Sequence, residues 1–418
     1  MEFGDQINRQ KSLGQTTMNV RRMLTNFIHA VTPTLHAYRR ASLTSIVQSA
    51  CEGSPLTITA LGRGISGKAV EKHRIKRADR LLSNTRLQKE LPLIYKTLTR
   101  LLVASLPRPV ILVDWSDLDA SGRHFLLRAS LAFKGRSMTL YEEVHTRDTK
   151  EKPLTHERFL GVLRDILPTE CTPVIVSDAG FRVPWFRQVQ QLGWDYLGRV
   201  RHSTMYCNDE IDWDYTKSLY AQATSTPRVL ADVTLARSNP LFTTLVLYKQ
   251  PAQGRHSLNR KGEPRRSKTS LTAARGADEP WLLATSLSTD SKAKATAVIQ
   301  CYRSRMQIEE GFRDQKSIRF GLGLSLQNTS IRARLAVLVM IGTLACMYLY
   351  LLGLMGQHAG LTRQYQANTE KRRNVLSCFF LGRRILKTGC HRIPIACWRE
   401  ALHEFRQHTA SYAAQWSN

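Results

Sequence analysis

At 418 residues the chain exceeds one ordinary core, so two to four domains are expected, and 42% hydrophobic residues support globular folding. Lys plus Arg number 61 against 33 Asp plus Glu, a net charge of +28, which favours a polyanionic partner, either nucleic acid or an anionic membrane surface. The eight cysteines form no CxxC pair and meet no matching HxxxH, which argues against a zinc site or a disulfide framework and leaves reduced thiols in a cytoplasmic protein as the expectation.

Residues 1–17 are polar, lack an apolar signal-like core and read as a disordered extension, with Met1 or Met18 as the start. Residues 18–104 read as helical and basic. Within them a short apolar segment, a turn carrying Gly62, Gly64 and Gly67, and a helix over about 68–82 suit a helix-turn-helix-like unit laid on double-stranded DNA. Lys72, Lys76, Arg77 and Arg80 on that helix are the candidate phosphate contacts, with Val70, Ile75, Ala78, Leu81 and Leu82 available to pack it. An ordinary basic amphipathic helix is the alternative.

From residue 105 to 200 the pattern changes to VILVD, HFLLRASLAF and SMTLYEEVH as strands, a helix with Phe159, Leu160, Leu163 and Ile166 on one face, VIVSD as a strand, a short helix from about Pro184, and WDYLGRV. This order predicts a mixed α/β sheet. Residues 201–290 interrupt it with further strands and a polar loop over 253–278, whose Arg255, Arg260, Lys261, Arg265, Arg266, Lys268 and Arg275 suit backbone phosphates. Residues 291–358 resume the core with a charged helix and then Leu335 to Met355, 21 residues without a charge, readable as a membrane span or as a helix buried in a large domain. Residues 359–418 form a basic helical tail suited to closure or dimerisation.

The charged helix YRSRMQIEEGFRDQK sets Tyr302, Arg305, Glu309 and Lys316 within an arc of about 60° at helical spacing, flanked by Ile308 and Phe312 on one edge and Ile299 and Met306 on the other. Arg303, Ser304, Gln307, Glu310, Gly311 and Asp314 would form the solvated face. Asp114 and Asp178 each stand at or just beyond the carboxyl end of an apolar strand, where an unpaired, desolvated carboxylate costs several kcal/mol. Adjacent central strands would bring the two together, and a helix crossing the sheet would add Glu309. Three converging carboxylates repel one another unless a cation is present. Their oxygens suit two Mg²⁺ ions, with Mn²⁺ as a substitute, for in-line phosphoryl transfer, while Tyr302, Arg305 and Lys316 would hold phosphates.

These motifs, VDWSD, SDAGFRVPW and YRSRMQIEEGFRDQK, resemble those of bacterial insertion-sequence transposases of the DDE type, in the group with a Y-x2-R-x3-E-x6-K signature. The resemblance extends to KHRIKRADRLLSN and NTEKRRNVLS. It implies an α/β, ribonuclease-H-like catalytic core interrupted by the β-rich insertion, with helical N- and C-terminal domains. It also implies Mg²⁺, cut-and-paste movement through a DNA hairpin, and a homodimer in which each chain binds one terminal inverted repeat and cuts the other. Trp281 falls where relatives stack a flipped base; packing at a strand start is its ordinary use. A nuclease without strand transfer and a non-catalytic DNA-binding regulator are the competing readings.

Overall fold

The computed structural model describes residues 17–416 apart from 120, 202–203, 209–210, 252–262, 371 and 390–391. Residues 1–16, and with them most of the expected disordered extension, lie outside that set, as do Arg255, Arg260 and Lys261. Thr17 itself opens a short strand, β1 (Thr17–Asn19), so the extension does not run to residue 17. There follow α1 (Val20–Val31), α2 (Ala37–Glu52), α3 (Ile58–Arg63), α4 (Glu71–Leu82) and α5 (Thr85–Val103). Their starts are written locally: Asn19, Thr57 and Asn84 accept backbone N–H bonds from the first turns of α1, α3 and α5.

The core begins with β2 (Val110–Asp117), β3 (His124–Phe133) and β4 (Arg136–Thr146), then α6 (Pro153–Ile166), β5 (Val174–Ser177), α7 (Val183–Gln191) and β6 (Asp195–Val200). Next come β7 (Met205–Asn208), β8 (Ile211–Tyr215), β9 (Arg228–Leu235), β10 (Leu241–Tyr248), α8 (Lys268–Asp278) and β11 (Trp281–Thr285). The chain closes with α9 (Lys292–Ser304), α10 (Met306–Lys316), α11 (Arg332–His358), α12 (Thr362–Tyr365), α13 (Cys378–Thr388), β12 (Arg392–Pro394) and α14 (Ile395–Ala413).

Strands β2 to β11 make one ten-stranded mixed sheet in the order β4-β3-β2-β5-β6-β11-β10-β9-β7-β8. The centre is parallel, β2 with β5 and β5 with β6. The flanks are antiparallel. Residues 201–290 therefore extend the core sheet from its β6 edge, through pairing of Leu282 with Val200 and Thr285 with Leu197, where the sequence suggested an interruption. Two more differences belong here. The latter part of the expected polar loop is the helix α8, capped by the Ser267 side chain, and the pair β7–β8 has no clear apolar pattern in sequence.

The uncharged run lies inside α11, which is long and apolar enough to cross a membrane, yet 89% of its most apolar window is buried within the protein. It packs against α2, α5, α13, α14 and β4. Its approach to α13 is backbone-close: a Cβ at Gly353 would strike the Cys378 carbonyl, and one at Gly382 would strike that of Leu349. The helix is the axis around which the N-terminal helices, sheet and C-terminal tail are gathered. In the tail, β12 pairs with β1.

A fully buried ion pair locks the sheet to the helices. Arg128 of β3 and Glu142 of β4 have side chains only 3% and 1% exposed and meet at 2.6 Å. Tyr95 of α5 donates to Glu142 at 2.9 Å, Thr343 of α11 donates to the same carboxylate, and Arg128 donates to the Gln315 side-chain carbonyl oxygen of α10. Gln315 in turn donates to the Val339 carbonyl at 2.8 Å. Burial of two ions is tolerable because both Glu142 oxygens and the Arg128 Nε and Nη2 are bonded. Arg128→Met should therefore cost ~3–5 kcal/mol in urea unfolding, because buried Glu142 is left without its counter-ion. Adding Glu142→Gln in that background should recover part of the loss.

Candidate active site

The parallel register sets the site. Val113 of β2 pairs with Ser177 of β5, so the next step along places Asp114 beside Asp178, at roughly the 4.8 Å strand spacing. Asp178 does lie just past its strand. Asp114 does not: β2 continues to Asp117, because Trp115 to Asp117 still pair with β3. Asp114 is 7% exposed. One of its oxygens accepts the Trp115 N–H at 2.8 Å and the other accepts Arg305 Nη1 at 3.1 Å. Asp178 is half-buried and accepts the Gly180 N–H at 2.8 Å.

The signature helix is not continuous. Arg305 sits at a break between α9 and α10, where its N–H bonds to the Tyr302 carbonyl at 3.0 Å and Ile308 N–H bonds to its own carbonyl at 3.2 Å, the tighter three-residue spacing. From that break its guanidinium spans Asp114 and Glu309, the latter at 3.3 Å. The three acids thus share one neighbourhood, with the arginine between two of them. The Arg305–Glu309 contact alone is a half-exposed i,i+4 pair worth a few tenths of a kcal/mol. Its contact with buried Asp114 is the consequential one.

The electrostatics follow. Burial, then the Asp178 carboxylate, push Asp114 up to about 7; Arg305 and the Trp115 N–H oppose the shift and Glu309 adds to it. For Arg305, burial disfavours the charge, but Tyr302, Asp114, Asp178 and Glu309 together outweigh it and hold its pKa above the ordinary value. Among the described residues, no three carboxylate, imidazole or thiol groups are already gathered closely enough to ligate one ion. Arg305 occupies the space between Asp114 and Glu309, where it serves as a stand-in cation. The donor set fits a hard divalent ion: carboxylate oxygens with an excess of negative charge that one guanidinium does not cancel.

Tyr302 is 4% exposed, and burial pushes its phenol up while Arg305 and Arg199 oppose this. Its ring meets Trp281 edge-on at 4.9 Å, and half-buried Trp281 leans on Tyr248 at 6.1 Å. Lys316 Nζ donates to Ser116 Oγ at 2.7 Å and to the Asp117 carbonyl at 2.9 Å, so it is docked on β2 two residues from Asp114. All four signature residues and both aspartates are therefore brought together, with Trp281 at their margin.

Other expectations are placed elsewhere or corrected. Lys72, Lys76 and Arg80 are exposed on α4, while Arg77 is half-buried and donates to Ser42 at 3.1 Å. Val70 does not pack that helix; it is 61% exposed. Arg265 and Arg266 are exposed on the segment before α8. Met306 is 43% exposed, with its sulfur 3.1 Å from Arg305 Nη2, instead of packing an edge. The supposed solvated face is largely covered: Ser304 and Asp314 are buried, Arg136 pairs with Asp314 at 2.8 Å, and Gln307 bonds to the Phe133 N–H at 2.8 Å and to Tyr412 at 2.9 Å. Sequence reasoning also missed Arg128, Glu142 and Gln315. The available signal was a lone arginine in the apolar run HFLLRASLAF, since a charge there requires a partner.

An α/β sheet that presents two aspartates on neighbouring parallel strands, with a glutamate and basic residues from a crossing helix, defines a carboxylate-site phosphoryl-transfer protein. The family model described as Transposase DDE domain matches residues 105–350, and the chain belongs to that family. No curated protein matches it. Membership carries a transposase role, a DNA substrate and divalent-metal-dependent cutting.

Because the folded pKa of Asp114 lies above its unfolded value of about 3.9, its ionisation opposes folding. Its contribution is fully present below about pH 4 and is lost as pH rises through about 7, a change of up to ~4 kcal/mol. Metal-free protein should melt at progressively lower temperature across that window. Asp114→Asn should flatten the dependence and melt above wild type at pH 8 in the same scan.

Proposed function

We propose that the chain is a cut-and-paste insertion-sequence transposase of the Y-x2-R-x3-E-x6-K group, using Mg²⁺ to cleave its element ends through a hairpin and join them to target DNA. The observation that carries this reading is the junction of Asp114, Asp178 and Glu309 around Arg305, with Lys316 docked beside them. The order β4-β3-β2-β5-β6, antiparallel on one side and parallel on the other, supports a ribonuclease-H-like core.

In this reading Asp114, Asp178 and Glu309 would hold two divalent ions, which supply activation of a water or 3′-hydroxyl and stabilisation of the leaving oxygen. Arg305 pairs with Asp114 and Glu309 in the metal-free protein and, released from them, turns to a phosphate oxygen. Lys316 and Tyr302 position the strand on either side of the scissile phosphate. Trp281 receives an unstacked base, an aromatic interaction worth ~1–3 kcal/mol. The basic helix α4, through Lys72, Lys76, Arg77 and Arg80, and the segment bearing Arg265 and Arg266 follow the phosphate backbone of the terminal repeats. Two copies act together, one per element end, in the cytoplasm.

Incubation of the protein with a labelled duplex taken from the DNA flanking the coding region, with Mg²⁺, tests this directly. Wild type should nick the duplex and form hairpins. Asp114→Ala, Asp178→Ala and Glu309→Ala should each bind and lose cleavage by about a thousand-fold, the rate equivalent of several kcal/mol of transition-state stabilisation. Sustained cutting by any one of them would remove that residue from the site. Cutting without joining would mark a nuclease, and binding without cutting by wild type a regulator. Replacing Lys72 and Lys76 by Ala should lower the slope of log affinity against log salt by about one for each phosphate no longer neutralised.

A further inference from the structure

Directly after Lys316 the chain presents Ile318, Arg319 and Phe320 to solvent, with Ile318 62% and Phe320 57% exposed. An exposed isoleucine and phenylalanine in a loose loop would need no explanation. These are not in a loose loop. Phe320 N–H bonds to Ser317 Oγ at 3.1 Å, Gly321 and Gly323 N–H bond to the Ser317 carbonyl at 3.1 and 3.0 Å, and Leu322 N–H bonds to the Asp314 carbonyl at 2.9 Å. Arg383 donates to the Gly321 carbonyl at 3.0 Å, and the Leu322 carbonyl accepts the Leu56 N–H at 2.9 Å. Leu322 and Leu324 are buried beneath. A Cβ at Gly321 would collide with the carbonyls of Arg313 and Asp314, so the turn is drawn tight against the end of α10. The backbone is pinned from three sides while its apolar tip is held out.

The surroundings specify the occupant. Lys316 and Arg319 flank the tip with no acid between residues 315 and 334, and the Arg319 guanidinium lies over the Phe320 ring at 4.9 Å from its centre. A rigid aromatic and a β-branched side chain set among cations, close to a lysine docked beside the carboxylates, match a polyanion whose strands carry flat apolar faces. A second copy of this chain, itself at +28, matches that basic patch poorly.

We propose that the Ile318–Phe320 tip is a DNA wedge: Phe320 inserts at the base step beside the cleaved phosphate and stacks on the unpaired base, with Arg319 bracing the ring and contacting the backbone. This rests on the transposase reading and adds to it a second aromatic, separate from Trp281 and on the opposite side of Lys316 in sequence. The test uses the full chain and the flanking duplex with 2-aminopurine placed one position at a time around the cleavage point, without divalent ion so that no strand is cut. Wild type should raise the fluorescence at one position. Phe320→Ala should abolish that rise, and Phe320→Trp should retain it.

In Mg²⁺, Phe320→Ala should cut the paired end about 5- to 150-fold more slowly, the range for removal of one base stack, and recover on an end mismatched at that position. Unchanged fluorescence and cutting in Phe320→Ala, with an unchanged melting temperature, would overturn the wedge while leaving the transposase reading intact. A fall in the mass of the DNA-free protein caused by Phe320→Ala would also overturn it, since the tip would then join copies of the chain. If wild type neither binds nor cuts the end, the transposase reading fails and the wedge falls with it.

Discussion

The buried pair of Arg128 and Glu142 is the constraint on which the site's geometry depends. It joins β3 to β4, and through Tyr95, Gln315 and Thr343 it reaches α5, α10 and α11. Gln315 is the neighbour of Lys316, and the Arg128 guanidinium also lies 4.7 Å from the centre of the Phe312 ring on the same helix. The helix that carries Glu309 and Lys316 is thus registered against the sheet by bonds that have no aqueous substitute. A shift of one residue along α10 would take the Gln315 acceptor from the buried Arg128 guanidinium and leave one of its N–H groups unbonded, a cost of ~1–3 kcal/mol, above that of a typical surface pair. Apolar packing by Ile308 and Phe312 alone would tolerate such a slide; directional bonds to ions do not.

Arg305 solves the complementary problem. The same register that gathers carboxylates makes them repel, and a protein must fold before it meets its metal. At the tight turn of residue 305 one guanidinium faces Asp114 and Glu309 together. Compensation is incomplete, since Asp114 is still driven up to about 7 by burial and by Asp178. Residual repulsion of that kind disfavours the empty state and so favours uptake of a divalent cation. Under the proposed metal-binding role, stability and metal affinity are set against each other in the same three side chains.

Much of the architecture is legible in the sequence because strands buried on both faces write long apolar runs. VILVD, HFLLRASLAF and VIVS need only length and composition to be read, and the spacing of the four signature residues over 302–316 makes the candidate site visible. What the sequence hides is tertiary. Nothing local marks the break at Arg305, which contains neither proline nor glycine. Gln307 and Asp314 look like part of a solvated face because their partners, Phe133 and Tyr412 for the first and Arg136 for the second, are remote in the chain. The uncharged run within α11 is ambiguous by composition, and only its neighbours decide that its surface is consumed by protein. The helix α8 hides in a segment whose polar composition also suits a loop.

The joining of residues 201–290 to the core sheet has a geometric consequence for the site. Val113, Ser177 and Gly198 share one rung, so the next rung holds Asp114, the position of Asp178, and Arg199, which pairs with Leu283 of β11. Side chains alternate along each strand, so these three face the same side of the sheet, and half-buried Arg199 is placed to act on Tyr302. Trp281 opposes the position just past Val200, two rungs on, about 7 Å along the strands from the acids. A separately folded lobe would have to set that distance through a flexible hinge. Continuous hydrogen bonding across β6 and β11 sets it through the backbone, so an aromatic more than a hundred residues from Asp178 in the chain is held at fixed range from it.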